Sequence, residues 1–179
     1  CQISRNGDLV HKMYLQVKAK VTADATKALY LQPYFGYKLI KHVELEIGGQ
    51  RIDKQYGEWM YIWNELTMDA GKQNGYMEMV GGNKVNAPWK FTNNNDILLY
   101  IPLEFWFCRN VGLALPLIAL QYHEVKVNIE FNNLDDLKAK NENDKRYDLD
   151  GADYLHATDK VITADNTGTF SSFDATLWA

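Results

Sequence analysis

Histidine and carboxylate side chains come first among the residues of this sequence that could do chemistry, because together they hold catalytic metal ions. The four histidines are His11, His42, His123 and His156, and no two of them are separated by two or four residues. Glu124 directly follows His123, and adjacent residues of a strand point to opposite faces, so these two cannot share a metal ion. The sequence therefore predicts no metal site, and it favours a buried or strand-end His123 on the apolar-facing side of a strand.

Cys108 is the remaining candidate nucleophile, because an arginine such as Arg109 next to a thiol favours the thiolate. No histidine lies near it in the sequence, so a small buried hydrophobic residue is the favoured interpretation. The other cysteine is Cys1, and two cysteines do not make a disulfide framework. The glycine pairs Gly48–Gly49 and Gly81–Gly82 do not continue into the Gly-Lys-Ser/Thr of a phosphate loop. We therefore expect no catalytic residue, no cofactor and no enzyme activity.

Aromatic residues at helical spacing provide a different kind of candidate site. Trp59, Ile62, Trp63 and Leu66 recur at the positions of one helix face, which predicts a helix over Tyr56–Met68. A stripe that faces the protein core is the favoured interpretation. The alternative is a flat aromatic platform that stacks against sugar rings.

Lysines follow one face of the first predicted strand, which alternates apolar and polar residues over Leu9–Val21. Lys12, Lys18 and Lys20 lie on its polar face, and a charged, solvent-facing surface is the favoured interpretation. Contact with an anionic lipid surface or a partner subunit is the alternative. The formal net charge of the 179 residues is −4, which argues against direct nucleic-acid binding by the whole chain. No apolar run approaches the length of a membrane span.

The elements that would position these residues are mainly strands. Leu39–Ile47 alternates, and Gly48–Gly49 turns the chain into a second hairpin arm over Gln50–Lys54. Loops are predicted over Thr22–Tyr37, which is rich in aromatic residues, and over Lys72–Asn95, a polar stretch rich in Gly and Asn. Many strands separated by turns and loops predict a sandwich or barrel.

The most apolar part of the chain lies in its second half. Ile97–Phe107 is nearly all apolar and predicts a strand buried on both faces, with Pro102 placing it at a sheet edge or a bulge. His123–Phe131 alternates and predicts a half-buried strand. Asn132–Lys160 is dense in charge and is predicted to be a solvated loop, with a cation- or receptor-binding loop as the alternative. Its aspartates do not keep calcium-loop spacing.

Three stretches in the same order resemble the major capsid proteins of large nucleocytoplasmic DNA viruses, the icosahedral algal, iridovirus and mimivirus-like viruses. They are QISRNGDLV at Gln2–Val10, VELEIGGQRIDK at Val43–Lys54 and GLALPLIALQYHEVKV at Gly112–Val127. The resemblance spans most of the chain, whereas the loops between these stretches match no family pattern. It implies an all-β, antiparallel jelly-roll sandwich, the first half of a double jelly roll.

In such a fold eight strands, B to I, form the sheets B-I-D-G and C-H-E-F, and the one short helix is expected in the E–F connection. Residues 1–179 are expected to be a partial N-terminal jelly roll, with strand B missing before Cys1, strand I truncated and the second jelly roll after Ala179. The strands are assigned as follows: C at Cys1–Ser4, D at Leu9–Val21, E at Lys41–Ile47, F at Ile97–Phe107, G near Leu117–Leu120, H at His123–Phe131, and I from about Ser172.

The function that the resemblance implies is structural. Such a subunit forms a homotrimer, the trimers pack as neighbouring capsomers into an icosahedral shell, and the shell lies over minor capsid proteins and an inner membrane. The expected location is the virion capsid, assembled in the host cytoplasm, and host-surface glycans are a further expected partner. The rival interpretations are a glycan-binding jelly roll, such as a lectin or viral fibre, and a cupin-type metalloenzyme.

Overall fold

The protein is described by a computed structural model over residues 1–4, 6–23, 29–82, 89–91, 93–138 and 168–179. Ten strands and four α-helices lie within these residues. The strands are β1 Leu9–Val10, β2 Tyr14–Thr22, β3 Leu29–Leu31, β4 Ile40–Ile47, β5 Gln50–Tyr56, β6 Trp89–Phe91, β7 Asn95–Pro102, β8 Leu115–Pro116, β9 Val125–Phe131 and β10 Thr169–Trp178. The helices are α1 Phe35–Leu39, α2 Gly57–Thr67, α3 Gln73–Val80 and α4 Trp106–Arg109.

The first of the two larger sheets has the strand order β10-β2-β7, and both pairings are antiparallel. β2 forms the centre because its sequence alternates, so that one side of it is apolar along nine residues. Val17 of β2 stands opposite Leu99 of β7 and Ala175 of β10. The inward-pointing residues of β2 are nearly all fully buried, namely Leu15, Val17, Ala19 and Val21.

The second sheet has the order β5-β4-β9, again antiparallel. Gly48 and Gly49 join β4 to β5 with φ angles of 59° and 83°, and this pair of positive angles is what a tight two-residue hairpin turn requires. The predicted hairpin is therefore present. Residues 1–3 extend the sheet beyond β9, because the Ile3 N–H donates to the Val125 carbonyl at 2.9 Å and Gln2 bridges to Lys126.

The two sheets enclose one apolar core. Phe131 of β9 and Phe173 of β10 meet edge to face across it, with ring centroids 5.4 Å apart. Leu45 and Val127 of the second sheet are fully buried, as are Leu99 and Ile101 of the first. This arrangement is an antiparallel sandwich, as the strand pattern predicts, and it fits the jelly roll that the resemblance implies.

The hydrogen-bonded order of the strands corrects the predicted letters of two strands. β4 is strand E, and it pairs with β9, strand H, and with β5, so β5 occupies the position of strand F. β2 is strand D, and its partners are β10, strand I, and β7, so β7 occupies the position of strand G. The segment near Leu117–Leu120, predicted as strand G, is a turn.

The helix predicted over Tyr56–Met68 is found as α2, but it follows strand F and so lies in the F–G connection rather than between E and F. The polar stretch Lys72–Asn95 also contains α3 and β6, so it is more regular than predicted. The polar sequence of α3 fits its position at the surface, because seven of its eight residues are exposed or half-buried and Val80 alone is buried.

The run Ile97–Phe107 is not one strand buried on both faces. β7 ends at Pro102, and the chain then turns into α4. Leu98 and Tyr100 are exposed because the outer face of this sheet carries no covering layer in the described part of the chain. The edge position predicted from Pro102 holds within the described residues, since β7 ends the strand order.

Connections between the sheets account for the remaining elements. The predicted loop Thr22–Tyr37 includes β3 and the start of α1. Within Asn132–Lys160, a 3-10 turn at Leu134–Leu137 is described, and Lys138 forms a bridge with Leu31. The predictions for the rest of that charged loop lie outside the described residues.

Candidate interaction surfaces

The apolar stripe of α2 points away from the core, so the predicted core-facing stripe is wrong. Trp59 is 39% exposed, Ile62 47% and Leu66 76%, and Trp63 is half-buried. The buried residues of α2 are Gly57, Met60 and Asn64, which lie on the opposite side of the helix. We call the outward-pointing set Trp59, Ile62, Trp63 and Leu66 the helix face.

Close backbone approach at the start of α2 decides which side is buried. A Cβ atom on Gly57 would lie 2.0 Å from the Tyr37 carbonyl oxygen and 2.5 Å from the Ile40 carbonyl oxygen. Only glycine fits there, so the side of α2 that carries Gly57 must face α1 and the start of β4. Met60, one turn later on the same side, is fully buried. The stripe of larger apolar residues is thereby turned outward.

Arg109 connects the helix face to the segment that follows β7. Its guanidinium carbon lies 3.9 Å from the centroid of the Trp63 ring, a cation–π stack, and its Nε donates to the Glu104 carbonyl oxygen at 3.1 Å. The Gln55 Nε2 donates to the same oxygen at 2.9 Å. Burial raises the pKa of the Glu104 carboxyl, more than the positive charges of Arg109 and Lys12 lower it.

Two tyrosine hydroxyls form a hydrogen bond between α1 and α3. The Tyr37 and Tyr76 hydroxyl oxygens are 2.7 Å apart, and burial raises the pKa of both phenols. Both remain neutral at physiological pH and are able to share one hydrogen bond without a charge. This hydrogen bond joins α1 to α3, and so it fixes the position of α1, against which α2 packs.

A second exposed surface lies on the outer side of the sheet β10-β2-β7. Its members are Lys18, Lys20, Leu98, Tyr100 and Trp178, and we call this set the sheet face. Gln16, which is largely buried, connects the two aromatic residues across three strands. Its Nε2 donates to the Tyr100 hydroxyl at 2.8 Å, and the Trp178 Nε1 donates to its Oε1 at 3.3 Å. The aromatic side chains are therefore held in fixed positions.

The predicted chemistry of Cys108 can be compared directly with its surroundings. The side chain is buried, and this burial raises the pKa of the thiol to about 11. Arg109 points to Glu104 and Trp63. A thiol with so high a pKa is neutral at physiological pH, which suits a small buried hydrophobic residue and not a nucleophile.

His123 is exposed, so the prediction that it faces the apolar side of a strand is wrong. β9 begins only at Val125, and His123 lies in the turn before it, over the Gly48–Gly49 hairpin. A Cβ atom on Gly48 would approach the His123 Nδ1 to 2.7 Å. Glu124 pairs with Lys126 at 2.6 Å. Within the described ranges, no group of three His, Cys, Asp or Glu residues is arranged to hold a metal ion.

The outer side of the sheet β5-β4-β9 carries a network of paired charges. The His42 Nε2 lies 3.7 Å from a Glu44 oxygen and 3.5 Å from a Glu130 oxygen. Glu44 also pairs with Lys54 at 3.0 Å, and Glu130 with Lys41. Because Lys54 and Lys41 pair with these carboxylates, the cluster is an ion-pair network.

None of the helices that the structure describes has both the length and the apolar character needed to cross a membrane.

Comparison with known proteins places this chain in a family. A family model described as "Major capsid protein N-terminus" matches residues 1–171. The major capsid protein of Pyramimonas orientalis virus is 56% identical over 140 residues, which cover 76% of this chain and 34% of that protein. The major capsid protein of Phaeocystis pouchetii virus is 44% identical over 163 residues, with 76% and 31% covered.

A quasi-atomic structure of the PBCV-1 virus capsid shares the fold. It superposes with a TM-score of 0.63 at 30% sequence identity and covers 99% of this chain and 37% of that one. The jelly-roll prediction is thereby confirmed, whereas the glycan-binding alternative gains no support. The chain spans about a third of the length of the curated relatives that it matches. It belongs to the major capsid protein family of large DNA viruses, and it corresponds to the N-terminal part of that family.

Proposed function

We propose that this protein is the structural subunit of an icosahedral virus shell, acting in the virion as a double jelly-roll capsid protein. The mechanism is geometric. Two similar jelly rolls in one subunit give a trimer six nearly equivalent sides, so that a single protein packs hexagonally with neighbouring capsomers. The observation that carries the proposal is the match of this sandwich, over 99% of the chain, to a virus capsid structure.

We propose further that residues 1–179 form the first of the two jelly rolls. The N-terminal family model supports the first position. The strand order fits a jelly roll, because β10-β2-β7 corresponds to I-D-G and residues 1–3 with β9, β4 and β5 correspond to C-H-E-F. Among the described strands, β10 pairs on one side alone, which leaves a place for strand B. Strand B would then come from residues before Cys1, and a second jelly roll would follow Ala179.

The partners that follow from this role are other copies of the protein, minor capsid proteins and a membrane beneath the shell, with assembly in the host cytoplasm. Host-surface glycans are a further proposed partner of the outward side of the capsomer. Direct contact with nucleic acid is not part of the proposal, since the net charge is −4. Catalysis is not part of the proposal either, since the relatives that this chain matches are capsid proteins.

The test is the assembly state of the protein expressed from its whole reading frame. Sedimentation velocity should give the mass of a trimer, and electron microscopy should show particles with a pseudo-hexagonal outline. The map should contain two jelly rolls per subunit, the first of them matching the strand order described above. A protein that remains monomeric at micromolar concentration, or that contains a single jelly roll, would contradict the proposal.

A further inference from the structure

Asparagine followed directly by glycine occurs twice in the sequence, at Asn6–Gly7 and at Asn74–Gly75. This pair of residues favours a covalent change of the asparagine side chain, because glycine has no Cβ atom to shield its backbone nitrogen. The nitrogen reaches the side-chain carbonyl carbon of the asparagine only when the backbone between the two groups is free to rotate. The structure holds the two pairs in different backbone conformations, so their reactivity should differ.

Asn6 and Gly7 lie in an exposed bend. The backbone is bound before the bend, where the Ile3 N–H donates to β9, and after it, where the Asp8 carbonyl accepts from the Leu117 N–H at 2.9 Å. Within the described residues, no hydrogen bond holds the Asn6 side chain or uses the Gly7 N–H. A Cβ atom on Gly7 would have no neighbour within 4 Å. Both reacting groups are therefore open to solvent and free of contacts that would keep them apart.

Asn74 and Gly75 lie in the first turn of α3. The Tyr76 N–H donates to the Lys72 carbonyl at 3.1 Å and closes this turn. The cyclic product of the attack requires an asparagine ψ angle far from the helical value of about −42°, so Asn74 reacts only after the turn opens. A Cβ atom on Gly75 would also have no neighbour within 4 Å. The two sites thus have equal space around the glycine and differ in backbone conformation.

We propose that Asn6 is a site of spontaneous deamidation and that α3 protects Asn74 from the same reaction. The Gly7 backbone nitrogen attacks the Asn6 Cγ atom and forms a C–N bond. The Cγ–Nδ2 bond breaks, and the side-chain nitrogen leaves as ammonia with the proton that the Gly7 nitrogen gives up. Water then opens the cyclic succinimide at one of its two carbonyls and gives an aspartate or an isoaspartate. No oxidant or reductant takes part.

The modification would change the charge and the backbone beside a cavity. Asn6 and Gly7 line an open cavity of about 600 Å³ between residues 1–10 and β10. The new carboxylate would lie close to the exposed Asp8, and like charges repel. An isoaspartate also routes the backbone through the side chain, which lengthens it between the points where Ile3 and Asp8 are bound. The chemistry is local to the bend, so it does not depend on the proposed capsid function.

Timed incubation of the protein expressed from its whole reading frame tests the proposal. Trypsin cuts after Arg5 and Lys12, so Asn6 lies in a short peptide in which tandem mass spectrometry detects the loss of the amide. At pH 8 Asn6 should convert about tenfold or more faster than Asn74, since tenfold corresponds to only about 1.4 kcal/mol for opening the helix turn. Conversion should be slower at pH 6, because the attacking nitrogen must lose its proton. In guanidinium chloride the two residues should convert at similar rates.

Two glycine substitutions provide a matched comparison. Gly7→Ala puts a methyl group beside the attacking nitrogen and should slow the conversion of Asn6 severalfold, while the open space and a φ angle outside the left-handed region leave the fold unchanged. Gly75→Ala should leave the rate at Asn6 unchanged, and circular dichroism checks that both variants are folded. Equal rates at Asn6 and Asn74 in the folded protein would overturn the proposal. So would an intact Asn6 after a time that converts the denatured sample. Both results leave the capsid function standing, whereas a protein that converts at Asn6 but never forms trimers would contradict that function alone.

Discussion

β2 and α2 both carry a stripe of large apolar residues at regular spacing, but the two stripes have opposite fates. The stripe of β2, from Leu15 to Val21, is buried between the sheets, whereas that of α2 is the exposed helix face. β2 has one apolar side and one charged side, so only one orientation buries apolar area. α2 has apolar residues on more than one side, because Met60 is buried while Trp59 and Leu66 are exposed.

In α2, the close packing of one side, and not the number of apolar residues on it, decides which side is buried. The Gly57 side of α2 approaches the α1–β4 backbone too closely for any side chain, and this approach buries Met60 completely. The tryptophan side is bulkier and cannot come as near. A surplus of apolar surface is left outside, and burying it against a partner would contribute roughly 25 cal/mol for each Å² removed from water.

The largest expected effect concerns neighbouring leucines of β7. Leu99 is fully buried and Leu98 is 50% exposed on the opposite face of the same strand. Leu99→Ala should lower the free energy of unfolding by about 2–5 kcal/mol, because a cavity forms in the core. Leu98→Ala should change it by less than about 0.5 kcal/mol. Urea unfolding of both variants measures the difference, and equal losses would mean that the outer side of the sheet is covered within the domain.

A similar pair of substitutions separates the two sides of α2. Met60→Ala should lower the free energy of unfolding by about 2–3 kcal/mol, in the lower part of the range for buried side chains, because flexible neighbours partly fill the space. Leu66→Ala should have almost no effect on unfolding, because its side chain is 76% exposed. Denaturant unfolding of the two variants measures the difference. A larger loss of stability for Leu66→Ala would place the core on the tryptophan side of the helix.

Local periodicity was sufficient to predict the longer alternating strands β2, β4 and β9 and the helix α2, but not the short elements inside the predicted loops. The alternation in Leu39–Ile47 and the glycine pair after it predict the hairpin β4–β5 to within two residues, because both signals act between neighbours in sequence. The helix bounds follow in the same way from the spacing of Trp59 and Trp63. The jelly-roll class came from the resemblance of three sequence stretches and not from periodicity.

Contacts between residues far apart in the sequence determine the features that local sequence patterns could not predict. The letters of strands F and G depend on which strand pairs with β4 and β2, and no local signal reports such a long-range choice. The outward direction of the helix face depends on Gly57, where an added Cβ atom would lie 2.0 Å from a backbone oxygen 20 residues earlier. His123 was misplaced because alternation continues, by chance, two residues before β9 begins.

The close approach of α2 is itself testable at two glycines. Gly57→Ala should lower the free energy of unfolding by about 1–3 kcal/mol, because the added methyl group overlaps two backbone oxygens that cannot move independently. Gly75→Ala, in α3, is the matched control: nothing lies within 4 Å of its Cβ position, and the better helix propensity of alanine should raise stability by about 0.5–1 kcal/mol. If Gly57→Ala were neutral, the helix would have room to move and its orientation would need another cause.

The smallest expected effect concerns Glu104, which is half-buried at the junction between the sandwich and the helix face. Burial raises the pKa of its carboxyl in the folded protein above the value of about 4.3 expected for the unfolded chain. The folded state then binds the proton more tightly than the unfolded state, so stability falls as pH rises from the unfolded pKa through the folded one, and the loss persists at neutral pH.

Glu104→Gln removes this ionisation while keeping the shape of the side chain and the backbone carbonyl that receives Gln55 and Arg109. The variant should melt a few degrees higher than the wild type at pH 7, and the two curves should converge near pH 3, where the wild-type carboxyl is almost fully protonated in both states. Melting temperatures measured from pH 3 to pH 8 give the comparison, and Glu78→Gln controls for loss of an exposed charge. A Glu104→Gln variant that is less stable at pH 7 and equal at pH 3 would instead show that the attraction to Arg109 and Lys12 outweighs burial, so that the junction is held by charge.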